Sequence, residues 1–209
     1  MSICYQSDLF GSMTRDAGLG DLRDARRTRL SAGAWVDALP NWLRGDHDVF
    51  ERLAADVPWR ADRRVMYDRT VEVPRLTCWF GEGEVLPHRI LDEARAALSD
   101  RYLPELGEPL VTAGMCLYRD GQDSVAWHRD SLEGRHPRRT VVAIVSLGAP
   151  RTLSLRPVGG GSINRFQMAH GDLVVMGGTT QATWEHAVLK TAKESGPRIS
   201  VQFRARGVF

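Results

Sequence analysis

The C-terminal half of the chain alternates apolar and polar side chains in short runs that turn residues separate. An alternation with a period of two predicts β-strands with one buried face. Eight such runs follow one another, over residues 111–118, 124–130, 140–147, 151–156, 165–168, 172–176, 183–189 and 198–204. Eight short strands in this order predict a double-stranded β-helix, a cupin-like jelly roll, as the core over residues 111–206.

The N-terminal half has the spacing of helices in two places. Apolar side chains three and four positions apart predict one helix over residues 46–57 and another over residues 87–98, with Pro87 near its start. Between the helices, residues 64–68 and 71–80 predict an arginine-rich β-hairpin. The predicted fold class is therefore mainly β with flanking helices (α+β).

The length and composition fit one domain. The chain has 209 residues, of which 43% are hydrophobic and 26% charged, so it can bury a sizeable core and is not of the disordered class. We expect residues 1–209 to form a single domain. Residues 1–63 are expected to be an N-terminal extension that packs on it, and residues 64–86 to hold the hairpin.

Charge, cysteine content and hydropathy bear on the partners and the location of the protein. The net charge of +2 is too small to indicate a nucleic-acid partner by itself. Three widely spaced cysteines without a Cys-x-x-Cys pair indicate neither a disulfide framework nor a zinc knuckle. The first ten residues lack the pattern of a signal peptide, and no window approaches eighteen apolar residues. We expect a cytoplasmic protein with no membrane contact.

Three side chains are candidate metal ligands. His128 and Asp130 stand two residues apart in a predicted strand, so both project from one face and can bind the same ion. His186 lies in a later predicted strand. Two histidines and one carboxylate form the facial triad that leaves open positions on non-heme Fe(II). The alternative is that these residues are solvated turn residues or satisfied strand positions.

The last predicted strand carries a second feature, a polar face that contains two arginines. That face consists of Arg198, Ser200, Gln202 and Arg204, and the residues between them are apolar. A buried guanidinium needs a partner, and arginine binds carboxylates through two parallel hydrogen bonds. An anionic ligand would explain both arginines. The alternative is an edge strand whose arginines lie in solvent.

These motifs, over residues 75–204, resemble the AlkB-like Fe(II)/2-oxoglutarate dioxygenases, which carry His-x-Asp, a distal His and a C-terminal Arg-x-Asn-x-Thr-x-Arg. The resemblance implies that His128, Asp130 and His186 bind catalytic iron. It also implies that Arg198 and Tyr118 bind the distal carboxylate of 2-oxoglutarate. Arg204 matches the second arginine of the family. The co-substrate positions that differ from the family pattern are Cys116, Ser200 and Gln202.

The resemblance further implies oxidative dealkylation of N-methylated nucleobases in DNA or RNA, a direct reversal of alkylation damage. Its requirements would be Fe(II), 2-oxoglutarate and O2, with ascorbate as a reductant in vitro. The alkylated base must leave the stack to reach the iron. Trp79, Phe80 and Trp127 are candidate stacking partners, with an ordinary core role as the alternative for each. No protein partner is indicated, and we expect a monomer.

Substrate identity has several alternatives. Leu132 stands where repair members of the family have an acidic residue. The same oxidation could therefore act on tRNA, a protein side chain or a small molecule. A non-catalytic metal-binding jelly roll, acting as a sensor or nucleic-acid-binding module, is the alternative of another class. Arg135, Arg138 and Arg139 form a loop that is a candidate phosphate contact or, alternatively, a solvated loop. The hairpin over residues 64–86 lies where the family has a substrate lid, and the alternative is an ordinary exposed hairpin.

Overall fold

The computed structural model describes residues 17–45, 47–66, 69–134, 136 and 139–209, and leaves out the side chains of residues 47, 62–66 and 69–72. The strands are β1 Gly18–Leu19, β2 Arg26–Arg29, β3 Ala34–Leu39, β4 Leu43–Arg44, β5 Arg60–Met66, β6 Arg69–Phe80, β7 Thr112–Tyr118, β8 Val125–His128, β9 Thr140–Gly148, β10 Arg151–Pro157, β11 Asn164–Met168, β12 Leu173–Gly178, β13 Trp184–Val188 and β14 Arg198–Arg204. The helices are α1 His47–Asp56, α2 Arg89–Leu106 and the single turn α3 Thr180–Thr183.

Two antiparallel sheets make up the jelly roll. The larger sheet has the strand order β2-β3-β12-β9-β14-β7-β6-β5, and the smaller sheet has the order β11-β10-β13-β8. Strands β1 and β4 form a separate pair. The two sheets supply residues to a common apolar core, with Leu153 and Leu155 from the small sheet and Val142 and Val145 from the large one. The predicted fold class is therefore confirmed.

The eight strands predicted from the alternation are all present, as β7 to β14. The bounds of β14 are those predicted, and the ends of the other strands differ from the prediction by at most two residues. The largest local difference is in β8, which ends at His128, so that Asp130 lies just beyond the strand. Thr183 belongs to α3 rather than to β13. The predicted hairpin and helices are also confirmed as β5, β6, α1 and α2.

Strand β14 lies in the interior of the large sheet, between β7 and β9. Both of its faces are buried. Its apolar residues Ile199, Val201 and Phe203 have no exposed surface, and Arg198 on the polar face is 1% exposed. The interpretation of β14 as an edge strand with solvated arginines is therefore wrong, since neighbours on both sides complete its backbone hydrogen bonds.

The N-terminal region differs from the expected extension. Strand β3 lies between β2 and β12 inside the large sheet, because its apolar residues fit the core. Asp37 on β3 is buried and accepts hydrogen bonds from Arg27 at 2.7 Å and from the Tyr102 hydroxyl at 2.9 Å. Arg27 also lies 3.6 Å from the centre of the Trp35 ring. This ion pair attaches β2 and α2 to β3.

Helix α2 continues eight residues beyond its predicted end, since Tyr102 and Leu106 extend the buried stripe. The imidazole of His88 caps its N-terminus by accepting from the Ile90 amide, and Gly107 ends it with a left-handed φ of 81°. None of the described helices combines the length and the apolar character needed to cross a bilayer.

Candidate active site

The three candidate metal ligands converge inside the jelly roll. Strands β8 and β13 pair so that His128 faces His186, with ring centroids 4.1 Å apart. The carboxylate oxygen Oδ1 of Asp130 lies 3.8 Å from Nε2 of His128 and 3.7 Å from Nε2 of His186. All three ligand atoms lie within 4.8 Å of one another. Asp130 and His186 are each 5% exposed, so these two are not solvated turn residues.

Both imidazoles are neutral near pH 7. Burial, with a smaller contribution from His128, lowers the pKa of His186 to about 3. Burial also lowers the pKa of His128. The Nδ1 atom of His128 donates to the carbonyl of Ala126 at 2.9 Å, which leaves Nε2 as the nitrogen with the lone pair. Each histidine can thus offer a nitrogen ligand without first losing a proton.

The third ligand, Asp130, is fixed by two residues. Nε of Arg204 donates to Oδ2 of Asp130 at 2.7 Å, and the amide of Asp130 donates to Oε1 of Gln181 at 3.0 Å. Burial acts to raise the pKa of Asp130, but Arg204 and His186 outweigh it and hold that pKa below its ordinary value. The carboxylate is therefore charged, and its Oδ1 atom faces the two imidazoles. Arg204, which the sequence assigned to the co-substrate, makes its shortest contact with this metal ligand.

A buried cavity of about 80 Å³ extends from the metal ligands along the polar face of β14. Arg198 lies in its wall and is held by a 2.8 Å hydrogen bond from Nε to the Ser146 hydroxyl. Its Nη1 atom is buried and, among the described residues, has no hydrogen-bond partner. Burial lowers the pKa of Arg198 and raises the pKa of Tyr118 to about 12, so the phenol keeps its proton. An unpaired buried guanidinium nitrogen beside a phenol suits a carboxylate.

The other predicted co-substrate residues also line this cavity. Cys116, Ser200 and Gln202 lie on neighbouring strands in register, with Ser200 opposite Cys116. The amide of Gln202 donates to the carbonyl of Ser200 at 3.0 Å and also contacts its hydroxyl. This bond turns the Gln202 side chain along β14. The polar face of β14 is therefore one continuous row, as the alternation predicted.

The residues present fit a metal ion together with an acidic co-substrate. Two imidazole nitrogens and one carboxylate oxygen form the donor set of non-heme iron. The unpaired Nη1 of Arg198 lies in the same cavity. Arg75, which the sequence reasoning missed, lines the cavity as well, and its buried Nε has no hydrogen-bond partner in the described part of the chain. Its place on β6 opposite Tyr118 follows from the strand register.

A groove of about 710 Å³ adjoins the cavity, since Cys116, Gln202 and Arg204 line both. Trp79 and Phe80, two of the predicted stacking residues, line this groove. The other opening at the metal ligands, of about 560 Å³, is lined by Leu132 together with His128 and Asp130. The second opening thus lies directly beside two metal ligands, and the groove lies beside the cavity.

Trp127 lines neither the cavity nor the groove, and its stacking role stays a prediction. Strand alternation places it on the face of β8 opposite to His128. The guanidinium of Arg156 lies 4.2 Å from the centre of its ring, and Arg156 pairs with Glu185. The Trp127 side chain therefore belongs to the outer face of the small sheet.

Of the three predicted loop arginines, Arg139 lies within the described residues. Arg135 and Arg138 lie outside the described residues. Arg139 is exposed and lies beside Gly107, the residue that ends α2. A Cβ built on Gly107 would be 3.7 Å from the Nη1 atom of Arg139. It does not line the groove.

Comparison with known proteins agrees with this site. A family model described as the 2OG-Fe(II) oxygenase superfamily matches residues 37–204. The alpha-ketoglutarate-dependent dioxygenase alkB homolog 3 of Homo sapiens is 33% identical over 172 residues, in a match that covers 75% of this chain and 60% of that protein. The DNA oxidative demethylase ALKBH2 of Bos taurus is 34% identical over 176 residues, covering 75% of this chain and 63% of that protein. The chain thus spans about 60% of the length of these relatives.

Among solved structures, the one titled "The structure of OsALKBH1" has a TM-score of 0.57 and 14% sequence identity. The match covers 85% of this chain and 100% of that chain. An identity this low supports a shared fold and no further property.

Proposed function

Because the chain belongs to the 2OG-Fe(II) oxygenase superfamily, we propose that it is an Fe(II)- and 2-oxoglutarate-dependent dioxygenase that removes N-linked methyl or similar alkyl groups from nucleobases. The observation that carries the proposal is one cavity with a His-Asp-His ligand set and a buried arginine whose Nη1 has no partner in the described chain. The names of the alkB homolog 3 and ALKBH2 relatives support the choice of alkylated nucleic acid.

In this proposal His128, Asp130 and His186 hold the iron, and Arg198 with Tyr118 holds the distal carboxylate of 2-oxoglutarate. When bound, the metal and 2-oxoglutarate supply, with O2, the oxidising power that hydroxylates a C–H bond. Arg204 neutralises Asp130 and keeps its Oδ2 atom occupied. The carboxylate therefore presents Oδ1 alone to the ion.

The rest of the cavity controls what reaches the reacting carbon. Val142, Leu153 and Val188 line it with apolar surface and limit the entry of water. A base that is flipped out of its stack would enter through the adjoining groove. A hydroxymethyl group formed on its nitrogen leaves as formaldehyde: the hydroxyl loses its proton as the C=O bond forms, the N–C bond breaks, and the nitrogen keeps the electron pair and takes up a proton from water. No nucleophilic or acid-base side chain is required for that last step.

A second candidate is the same oxidation on a substrate outside DNA. Leu132 is the observation that favours it, because it places an apolar side chain beside His128 and Asp130 in the second opening. An acid there could accept hydrogen bonds from an exocyclic amine, whereas leucine cannot. We expect weaker discrimination between methylated bases than an enzyme with an acid at this position would have.

Mass spectrometry of methylated oligonucleotides tests the proposal. Single-stranded DNA and RNA with one N-methylated base are incubated with the protein, Fe(II), ascorbate and 2-oxoglutarate. We expect the mass of one methylene group to be lost, with equal amounts of formaldehyde and of succinate coupled to it. The His186→Ala variant is the matched control. Succinate without any mass loss would leave a dioxygenase with another substrate, and the absence of both changes would contradict the proposal.

A further inference from the structure

Two aromatic rings meet at the mouth of the groove. The centroids of Trp79 and Phe209 are 5.7 Å apart, with 33° between the ring planes. Trp79 is 42% exposed and Phe209 is 53% exposed, although both residues line the groove. Large exposed aromatic surface inside a concave site is typical of a place where a ligand is bound. We call these two side chains the aromatic shelf.

Strand register and one glycine fix the position of Trp79. Trp79 pairs with Gly114 across β6 and β7. A Cβ on Gly114 would lie 3.3 Å from Cε3 of Trp79 and 2.7 Å from Nη1 of Arg204. The missing side chain therefore lets the indole and the guanidinium approach each other over β7. Since Arg204 also binds Asp130, only one residue separates the shelf from a metal ligand.

The segment of residues 205–209, called here the tail, holds Phe209 in place. Backbone hydrogen bonds join Phe209 to Ser131 in both directions, at 2.7 and 3.2 Å, and the Glu133 amide donates to Gly207 at 2.9 Å. Val208 is fully buried. The Arg206 guanidinium binds the carboxylate of Glu82, with Nε at 2.9 Å from it. The tail is thus attached both to the loop that follows Asp130 and to the turn that follows β6.

We propose that the aromatic shelf binds a planar heteroaromatic group of the substrate, with Phe209 as a specificity-determining residue. This rests on the proposed function, which places the substrate in the groove. The two rings are already in contact, so the planar group stacks on their common exposed surface rather than between them. Arg60, exposed on the same groove wall, is placed to meet a phosphate. The groove volume suits a nucleotide-sized ligand.

Anaerobic binding measurements test the role of Phe209. Mn(II) replaces iron, 2-oxoglutarate is present, and the probe is single-stranded DNA with one N-methylated adenine. We expect Phe209→Ala and Phe209→Leu to raise the Kd for this probe by roughly tenfold or more, the range of one base-aromatic stacking contact. Phe209→Tyr should restore the affinity, because it keeps the ring. The Kd for 2-oxoglutarate should not change in any of the three variants.

The control variant is Leu103→Ala, which removes an exposed apolar side chain from α2. It should bind the probe like the wild type. A second probe, indole-3-acetamide, is planar but is not a nucleobase. If Phe209→Leu and the wild type bind the DNA equally well, the shelf proposal is wrong and the proposed function stands. A third outcome is that the wild type and Phe209→Tyr bind the indole but not the DNA, while Phe209→Leu binds neither. In that case the shelf stands and the nucleobase substrate is wrong. Binding of neither probe overturns both.

Discussion

The inner cavity and the groove beside it are built in different ways. In the cavity, the metal ligands and Arg198 lie on strands or directly follow one, and Asp130, His186 and Arg198 are at most 5% exposed. At the groove mouth, Phe209 comes from the tail and Arg60 from the strand at the edge of the large sheet. Strand pairing positions His128, His186 and Arg198, whereas Phe209 is held by backbone hydrogen bonds to Ser131 in the loop after β8. The residue proposed for recognition therefore depends on a contact between two loops, and the residues proposed for chemistry depend mainly on the sheets.

The largest expected effect is the loss of one metal ligand. His128→Ala, Asp130→Ala and His186→Ala should each abolish turnover, because a three-ligand site that loses one ligand no longer holds iron in a reactive geometry. Iron content and succinate production of the purified variants check this, and thermal unfolding checks that each variant is folded. Trp79→Ala, in the groove, should keep the iron content of the wild type. Turnover near the wild-type rate in any of the three would remove that residue from the ligand set.

The next effect concerns the far end of the cavity. Arg198→Ala should raise the 2-oxoglutarate concentration needed for half-maximal turnover by about ten- to a hundredfold, since a charge-assisted bond contributes roughly 1.5–3 kcal/mol. Arg198→Lys should recover part of the loss, as it restores the charge without the planar fork. Arg60→Ala, at the groove, should leave this concentration unchanged. An unchanged value in Arg198→Ala would rule out the carboxylate role.

A smaller effect is expected where the cavity depends on an irregular segment. Gln181→Leu removes the acceptor of the Asp130 amide and should weaken metal binding about tenfold, the low end of the range for residues that orient metal ligands. Titration with Co(II), followed by visible absorption, measures this without turnover. Gln167→Leu on the outer strand β11 is the matched control. Equal Co(II) affinity in both variants would show that the Asp130 backbone needs no support from α3.

The smallest effect belongs to the groove. If phosphate binds at Arg60, Arg60→Ala should reduce the slope of log K against log salt for single-stranded DNA by about 0.7, the contribution of one contact. Binding at several salt concentrations measures this slope. Metal and 2-oxoglutarate affinities should remain those of the wild type, which distinguishes a groove residue from a cavity residue. Parallel lines for the two proteins would mean that Arg60 contacts no phosphate.

The sequence alone predicted which side chains line the cavity on β14, because side chains on a strand alternate between its two faces. The alternation in β14 predicted one polar face, and the His-x-Asp spacing predicted a shared side for His128 and Asp130. The same rule places Trp127, which directly precedes His128, on the opposite face of β8. There its ring contacts Arg156. The period of two was therefore sufficient to place Trp127 outside the cavity from the sequence alone.

The remaining features could not be predicted from periodicity. The bond of Gln181 to Asp130 and the pairing of Phe209 with Ser131 join irregular segments far apart in the chain. Such contacts depend on the paths of loops, which no local pattern specifies. The integration of β3 into the large sheet was missed because its sequence, Ala-Trp-Val-Asp-Ala-Leu, does not alternate apolar and polar residues. Arg75 was missed because nothing in the sequence around it signals that β6 lies beside β7.

The two buried faces of β14 limit how the protein can change its length during evolution. Inserting one residue within Arg198–Arg204 would exchange the faces downstream of the insertion, so that arginine would enter the apolar layer and Val201 or Phe203 the cavity. The backbone hydrogen bonds of β14 with β7 and with β9 would also be shifted by one residue downstream of the insertion. Insertions and deletions should therefore accumulate in turns such as residues 158–163 and 189–197, while related sequences keep the length of β14 unchanged.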